Sequence, residues 1–389
     1  VLWYLRQFGV KRLRRENTKG RPKCGEKYGC VWRFDPRSYQ VQRYIPYDFL
    51  NPHGHEFDRW GQGFMHDGTN AYPYHDTIFS GHIDYPDRHS HDPPCPNLYE
   101  VRTRPCPGTL IISSNHFPEE NQGNLLVANV IGFQGVLQYK LQDKESSFEG
   151  IPAEHIVRSS DRNFRPTDFE IGPQGAIYFS DWQNPVIGHM QHHIRDPSRD
   201  HKHGRVYRIT YPSRPLSEPA RIAGAPIASL LDFLKSRENY VRYRARIELS
   251  DRDSNQVIQA IDQWIAELDP SDLEYQHHLL EALWVHQQHH VVNEGLLEKL
   301  LMSPDYRARA AATRVVGYWQ ANLSNPLALL KERAIDEHPR VRLEAVRACS
   351  FLPTAKAMEV ALSATKLPMD KYLEYTLAET IKQLQSQQN

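Results

Sequence analysis

Three groups of side chains in this sequence have the types and spacing to do chemistry. The densest is histidine, with His189, His192, His193, His201 and His203 all inside residues 189–203. Were residues 187–195 helical, His189 and His193 at i and i+4 would share one face, as paired metal ligands do. Pro185 and Gly188 work against a helix there. The neighbours Arg195, Asp196, Arg199, Asp200 and Arg205 alternate in sign, as in a loop held by its own ion pairs. A further set, His75, His82, His89 and His91, lies in the polar stretch Tyr72–Pro107 and reads as surface loop.

Carboxylates form the second group. Asp67 and Asp181 end strand-like runs of the same shape, so both could face one mouth of the fold and contact calcium, a cofactor or a substrate. The other reading is that each accepts hydrogen bonds from turn amides, which recurrence at several strands favours. Trp60, Trp182 and Tyr178 form the third group; their faces could stack a sugar ring or simply pack. The sequence contains no nucleophile elbow, phosphate loop, Rossmann glycine set or H-E-x-x-H. Of the five cysteines, Cys24 with Cys30 and Cys95 with Cys106 could each close a short loop, and Cys349 sits on a helical pattern as core. A C-x-x-C-H haem attachment sequence is absent from the chain.

The elements that must position these groups divide in two. Three segments share one form: Gly61–Asp67, Gly123–Asn129 and Gly175–Asp181 each run from a turn glycine through apolar residues to Asp or Asn. Glycine supplies the positive φ that such a turn needs. The spacings are 62 and 52 residues, above the ~40–50 of a compact propeller blade, so long loops take up the excess. Strands also fit Cys30–Phe34, Gln40–Tyr44, Thr109–Ser113, Val136–Leu141 and the stretch Arg205–Tyr211. Repeated units of short strands predict a partial β-propeller over residues 29–215, with a β-sandwich as the alternative.

From Ile227 onward apolar residues recur every three or four positions, the mark of amphipathic helices. Arg242, Gln276, Arg309, Arg342 and Tyr375 recur at intervals of 33 to 34 residues, with Asp269-Pro270, Ser303-Pro304, Asn325-Pro326 and His338-Pro339 at the breaks. Residues 225–385 therefore read as an all-α solenoid of stacked hairpins resembling HEAT repeats, its arginines bonding between repeats and one face free for a protein partner. The two halves meet at Asn163–Tyr211. Residues 1–28, with nine Lys/Arg against two Glu, stay unassigned. Lys plus Arg equals Asp plus Glu at 47 each, which argues against nucleic acid or an anionic membrane as partner, and no apolar run approaches the ~20 residues of a membrane span. With Val1 in place of a starting Met, the chain reads as a fragment.

Three stretches carry a resemblance: N-P-H-G-H-E-F-D-R-W-G-Q (51–62), H-F-P-E-E-N-Q-G-N-L-L-V-A-N-V-I-G-F-Q-G (116–135) and D-W-Q-N-P-V-I-G-H-M-Q-H-H-I-R-D-P-S-R-D (181–200). They resemble the large secreted proteins of planctomycetes known as membrane-bound dehydrogenases, which join a sugar-dehydrogenase-like propeller to HEAT repeats and a haem-binding cytochrome c domain. The resemblance implies a propeller of six blades when complete, of which this chain holds the C-terminal ones. It implies an extracytoplasmic oxidoreductase of the sugar or alcohol dehydrogenase type, with pyrroloquinoline quinone and calcium as cofactors. Electrons would pass to a haem c domain downstream of this chain or to another acceptor. By the same resemblance Asn51, His53, Asp67, Arg165 and Asp181 are the cofactor-binding candidates, beside His189 and His193 as metal candidates. Leu50 and Thr167 stand where the more distant soluble sugar dehydrogenases carry arginines, and the catalytic histidine of that family falls upstream of this chain. The alternative is a non-catalytic propeller and HEAT module that binds protein or glycan partners.

Overall fold

The computed structural model describes residues 3–5, 29–49, 51–68, 71–85, 87–90, 97–99, 103, 105–186 and 195–387. Leu50, Cys24, Cys95, His91, His189, His192 and His193 lie outside the described residues.

Four antiparallel sheets follow one another along the chain, each a simple meander. The first holds β1 (Trp3–Leu5), β2 (Gly29–Phe34) and β3 (Val41–Phe49), and the second β4 (Pro52–Phe57), β5 (Gly63–Asp67) and β6 (Tyr72–His75). The third holds β7 (Thr109–Ile111), β8 (Leu125–Asn129), β9 (Gly135–Lys144) and β10 (Ser147–Arg158), and the fourth β11 (Pro166–Ile171), β12 (Ile177–Asp181) and β13 (Arg205–Ile209). The repeated form is the middle of the last three sheets. Gly61, Gly123 and Gly175 all adopt positive φ, at 76°, 76° and 81°, and β5, β8 and β12 end on Asp67, Asn129 and Asp181. Within the unassigned start, Trp3–Leu5 pairs with Trp32–Phe34.

Consecutive sheets pack face to face: β2 meets β4, β4 meets β7, and β11 meets β7 and β8. Strand β8 shows why its sequence is an unbroken apolar run. Leu125 and Val127 point into the cluster shared with Phe64, Tyr99 and Phe148, while Leu126 and Ala128 point into the one shared with Phe169, Ile177 and Phe179. Successive side chains leave a strand on opposite faces, and here both faces are covered.

The helical part comprises, among the described residues, α1 (Ile227–Phe233), α2 (Asn239–Ser250), α3 (Ser254–Ala266), α4 (Tyr275–Gln288), α5 (Glu294–Leu301), α6 (Tyr306–Trp319), α7 (Pro326–Arg333), α8 (Pro339–Cys349), α9 (Ala355–Leu362) and α10 (Lys371–Ser386). Starts are capped by Asp253, Asn293, Asp305, Asn325, His338, Thr354 and Asp370, each accepting a backbone N–H of the first turn. Pro326 and Pro339 occupy first-turn positions where no amide donor is needed. The periodic arginines have one shared task. Arg242, Arg309 and Arg342 are buried, and each Nη1 donates to the carbonyls six and five residues before it. Arg242 also pairs with Glu281 at 3.0 Å and Arg309 with Asp336 at 2.9 Å, tying each repeat to its neighbour.

The largest core does not stop where the sheets end. It runs from Tyr44, Ile45, Tyr47 and Phe49 of β3 through Phe79 and into the helices as far as Tyr375 and Leu384. The histidine-rich stretch after Tyr72, expected as a surface loop, instead forms β6 and a buried 3-10 turn, Asp76–Phe79, against α8 and α10. His75 and His89 are buried, because Ser147 and Gln62 partner the first and Glu379 the second. The face made by α6, α8 and α10 packs against this chain's own sheets and the turn after β6. The expected meeting of the halves at Asn163–Tyr211 is thus displaced to the length of the helical stack.

Candidate functional site

The predicted cofactor residues resolve into one structural device used twice. Asp67, at the end of β5, accepts the backbone N–H of Asn51 at 3.2 Å, and Asp181, at the end of β12, accepts that of Arg165 at 2.7 Å. In both cases the donor precedes the proline that opens the first strand of the same sheet, so the carboxylate pins the sheet's entry to its middle strand. Asp181 also takes the amide of Gln183 at 2.7 Å. His53 packs against Gly68, where a Cβ would fall 2.5 Å from its ring. The device brings Asn51 to Asp67 and Arg165 to Asp181, one pair in the second sheet and one in the fourth.

For the quinone, the donor set does not fit. Thr167, at the place of a cofactor-pairing arginine, points its hydroxyl at Ser180 Oγ, 2.6 Å away across the β11–β12 pair. Arg165 donates to the carbonyl of Phe164 at 3.0 Å. One guanidinium so engaged cannot replace bidentate pairing to several carboxylates. Among the described residues no three His, Cys, Asp or Glu side chains converge as a metal site. His203 pairs with Asp200 at 2.9 Å, and Arg205, at the start of β13, pairs with Asp161, ahead of β11, at 3.2 Å. Cys106 is a buried thiol bonded to Thr103 and Asn129, its pKa pushed up to about 12 by burial.

The structure gathers functional groups elsewhere, in a cavity of about 310 Å³ where the second and third sheets meet the helical stack. Its floor is the turn between β4 and β5. Asp58 Oδ1 accepts the amides of Trp60 and Gln62, both at 2.8 Å, and Gly61 at positive φ lets the chain pass beneath Trp284, 3.1 Å from where a Cβ would sit. Phe64, Ile112, Leu141 and Phe148 give apolar wall. Four guanidinium groups enter from different elements: Arg59 from the turn, Arg237 ahead of α2, Arg307 from α6 and Arg340 from α8. Arg307 lies 4.5 Å over the Trp60 ring and Arg340 3.7 Å over Phe148, both within cation–π range.

Each of these cations has a carboxylate. Arg59 pairs with Glu274, Arg237 with Glu119, Arg307 with Asp305 at 2.7 Å and Arg340 with Asp143 at 2.9 Å. Two nitrogens are left over: Nε of Arg59 and Nε of Arg340 are buried with no hydrogen-bond partner. The sequence named Trp60 as an aromatic candidate, and it is buried here between arginines, with His277 edge-on at 5.1 Å. The arginines themselves were not legible as a site. Arg307 and Arg340 sit two residues before Arg309 and Arg342 in the same helical repeat, and the period does not say which of them faces the sheets.

Burial pushes the Asp58 carboxyl up to about 6, against the pull of the Gln62 amide and Arg340. The folded form therefore holds a proton that the unfolded chain releases near 3.8, so stability falls as pH rises from about 4 to about 6 and stays reduced above. Asp58→Asn keeps the acceptor and removes the charge. It is expected to flatten that fall and to add about 1–2 kcal/mol at pH 8, a value discounted for the partial exposure of the side chain. Urea unfolding at pH 4.5 and pH 8 checks it; an Asn variant weaker at pH 8 would mean that the turn needs the charged acceptor.

No helix among the described residues is long and apolar enough to cross a membrane. No curated protein matches the chain. A crystal structure of an engineered protein aligns at 16% identity over 41% of this chain and 80% of its own, with a TM-score of 0.25, too low to carry an argument. The model of HEAT repeats matches residues 293–382, the part in which α5 to α10 stack, and HEAT repeats can mediate protein interactions. The model of a domain of unknown function, DUF7133, matches residues 15–213, which take in β2 to β13 and half of the chain. This chain is a member of the DUF7133 family, its β-sheet domain followed by HEAT repeats.

Proposed function

We propose that this chain is a non-catalytic recognition module, extracytoplasmic in location, in which blade-like sheets and HEAT repeats together build one ligand cavity. The sheets read as consecutive blades of a partial propeller, supported by their meander order and by the packing of each on the next through its first strand. The observation that carries the function is the cavity at the junction, walled by both parts and closed by Trp60 between two guanidinium groups. Convergent polar groups over an apolar wall are what a small-ligand site requires. The faces of α3, α5, α7 and α9 turned away from the sheets remain for a protein partner.

The test is a calorimetric screen of the intact chain against soluble mono- and disaccharides and sugar acids, repeated with Trp60→Phe. Binding that weakens at least tenfold in the variant is expected. A panel without binding, or binding indifferent to Trp60, sinks the reading.

A second reading, the sugar or alcohol dehydrogenase of the resemblance, is favoured by one observation. Arg165 Nε is buried without a hydrogen-bond partner, and beside it Asp181 Oδ2 has only the long ion pair with Arg205, at 3.9 Å, in the unit where a cofactor contact was expected. Reduction of an electron-accepting dye by the chain with a sugar or alcohol, dependent on added quinone and calcium, would put that reading in place of the first.

A further inference from the structure

We infer that the junction cavity is an anion site, which takes the carboxylate, sulfate or phosphate group of a ligand of about monosaccharide size. The inference rests on the recognition reading and names the ligand class of that same cavity.

Charge placement is the first argument. Arg307 is the second residue of α6 and Arg340 the second of α8, helices of 14 and 11 residues. The start of a helix carries partial positive charge and free N–H groups, so acidic side chains are favoured there and cations are not. Two such helix starts put guanidinium groups into one cavity. Asp305 caps the first start and pairs with Arg307, and His338 caps the second; an anion between the two guanidinium groups would meet both cations and the positive ends of both helices.

Unsatisfied donors are the second argument. Arg340 is 2% exposed, and its two Nη groups are spent on Asp143 and on the Ser147 carbonyl. Its Nε has no acceptor, and neither has Nε of Arg59, which lines the same space. A guanidinium brings five N–H donors, and a buried one left unmet calls for an acceptor that the protein does not supply. Oxygens of a bound oxyanion are such acceptors.

The balance of the walls is the third. The lining holds four arginines against two carboxylates, Asp58 and Asp143. Glu274, Glu119 and Asp305, the partners of the other three arginines, are not part of the lining. The remaining wall of Phe64, Ile112 and Phe148 is suited to the uncharged body of the ligand.

The intact chain is titrated by calorimetry, at constant ionic strength, with glucuronate, glucose 6-phosphate, glucose 6-sulfate, glucose and inorganic phosphate. Expected is binding of the three charged sugars, at least tenfold weaker binding of glucose, and loss of at least tenfold in affinity in Arg307→Gln. Arg340→Gln removes a buried cation on which folding also depends, so Arg59→Gln serves as the second variant. Inorganic phosphate binding as tightly as glucose 6-phosphate supports the anion class with the free ion as its source. Glucose binding as tightly as glucuronate overturns the anion inference and leaves the recognition reading standing. Charged sugars that bind equally well to Arg307→Gln and Arg59→Gln overturn it too, and absence of any binding sinks both.

Discussion

Arg314→Ala is expected to lower the free energy of unfolding by about 3–5 kcal/mol, the cost of breaking a buried ion pair from one side. Arg314 leaves α6 toward the sheets and meets Glu344 of α8, with its Nε 3.0 Å from Oε1. It also donates to the Gly61 carbonyl and the Thr77 hydroxyl, so one side chain joins two repeats to two strand turns. Glu344 is fully buried, as is Asp76, which takes hydrogen bonds from Tyr44 at 3.0 Å and His55 at 3.1 Å. Burial alone would push the Asp76 carboxyl up, but the His55 hydrogen bond and the Arg314 charge hold it well below the usual carboxylate range. Arg314→Ala would leave Glu344 buried without its cation and take from Asp76 a charge that helps to keep it ionised. Urea unfolding reads the loss, and Arg314→Met with Glu344→Leu should recover most of it, because the apolar pair leaves no unpaired charge. The pH dependence has a sign as well. A carboxyl depressed in the folded state contributes stability above its unfolded value of 3.8, lost as pH falls through the folded value. Without Arg314 that loss should begin at higher pH. A single variant costing under about 1 kcal/mol would show that the network does not clamp the halves.

How much of this was legible in the sequence depended on whether a residue's partner was close along the chain. Gly61, Gly123 and Gly175 announced their turns because positive φ is a local demand, and the strands after them ended as the pattern said. Arg242, Arg309 and Arg342 announced the repeat because their acceptors are five and six residues away. Asp76, His75 and His89 gave no such signal. A stretch of His, Asp and Ser reads as solvated until its partners are known, and Glu379 and Arg314 are more than 200 residues distant. The candidate site was hidden for the same reason. Arg307 and Arg340 look like further members of a helical period, and only the arrival of Trp60 and Asp143 from the sheets makes a cavity of them. Asp67 and Asp181 were visible as a recurring feature, and what recurs in the structure is a carboxylate that accepts the amide ahead of the first strand of its sheet.

Phe79→Ala is expected to cost a further large amount, about 3–5 kcal/mol, and to do so in both halves at once. Phe79 ends the buried turn after β6 and has no solvent exposure. Its ring lies 4.7 Å from Tyr47 of β3, 5.4 Å from Tyr74 of β6 and 5.3 Å from Tyr375 of α10, so one aromatic cluster is assembled from both parts. Truncation leaves a cavity between rigid neighbours, and the loss grows with the volume they fail to fill. The position also decides how the molecule unfolds. If the shared core makes one cooperative unit, the helical signal at 222 nm and the near-ultraviolet signal of the tyrosine cluster should move to lower denaturant together. Were the halves independent, the aromatic signal would shift alone and the helices would keep their own midpoint. Tyr375→Leu gives the control from the other side, since it removes the cluster's helical member together with the hydroxyl that bonds the Ser90 carbonyl. Equal displacement of both signals by both variants would establish that sheets and solenoid fold as one body, the condition under which a cavity walled by both can hold its shape.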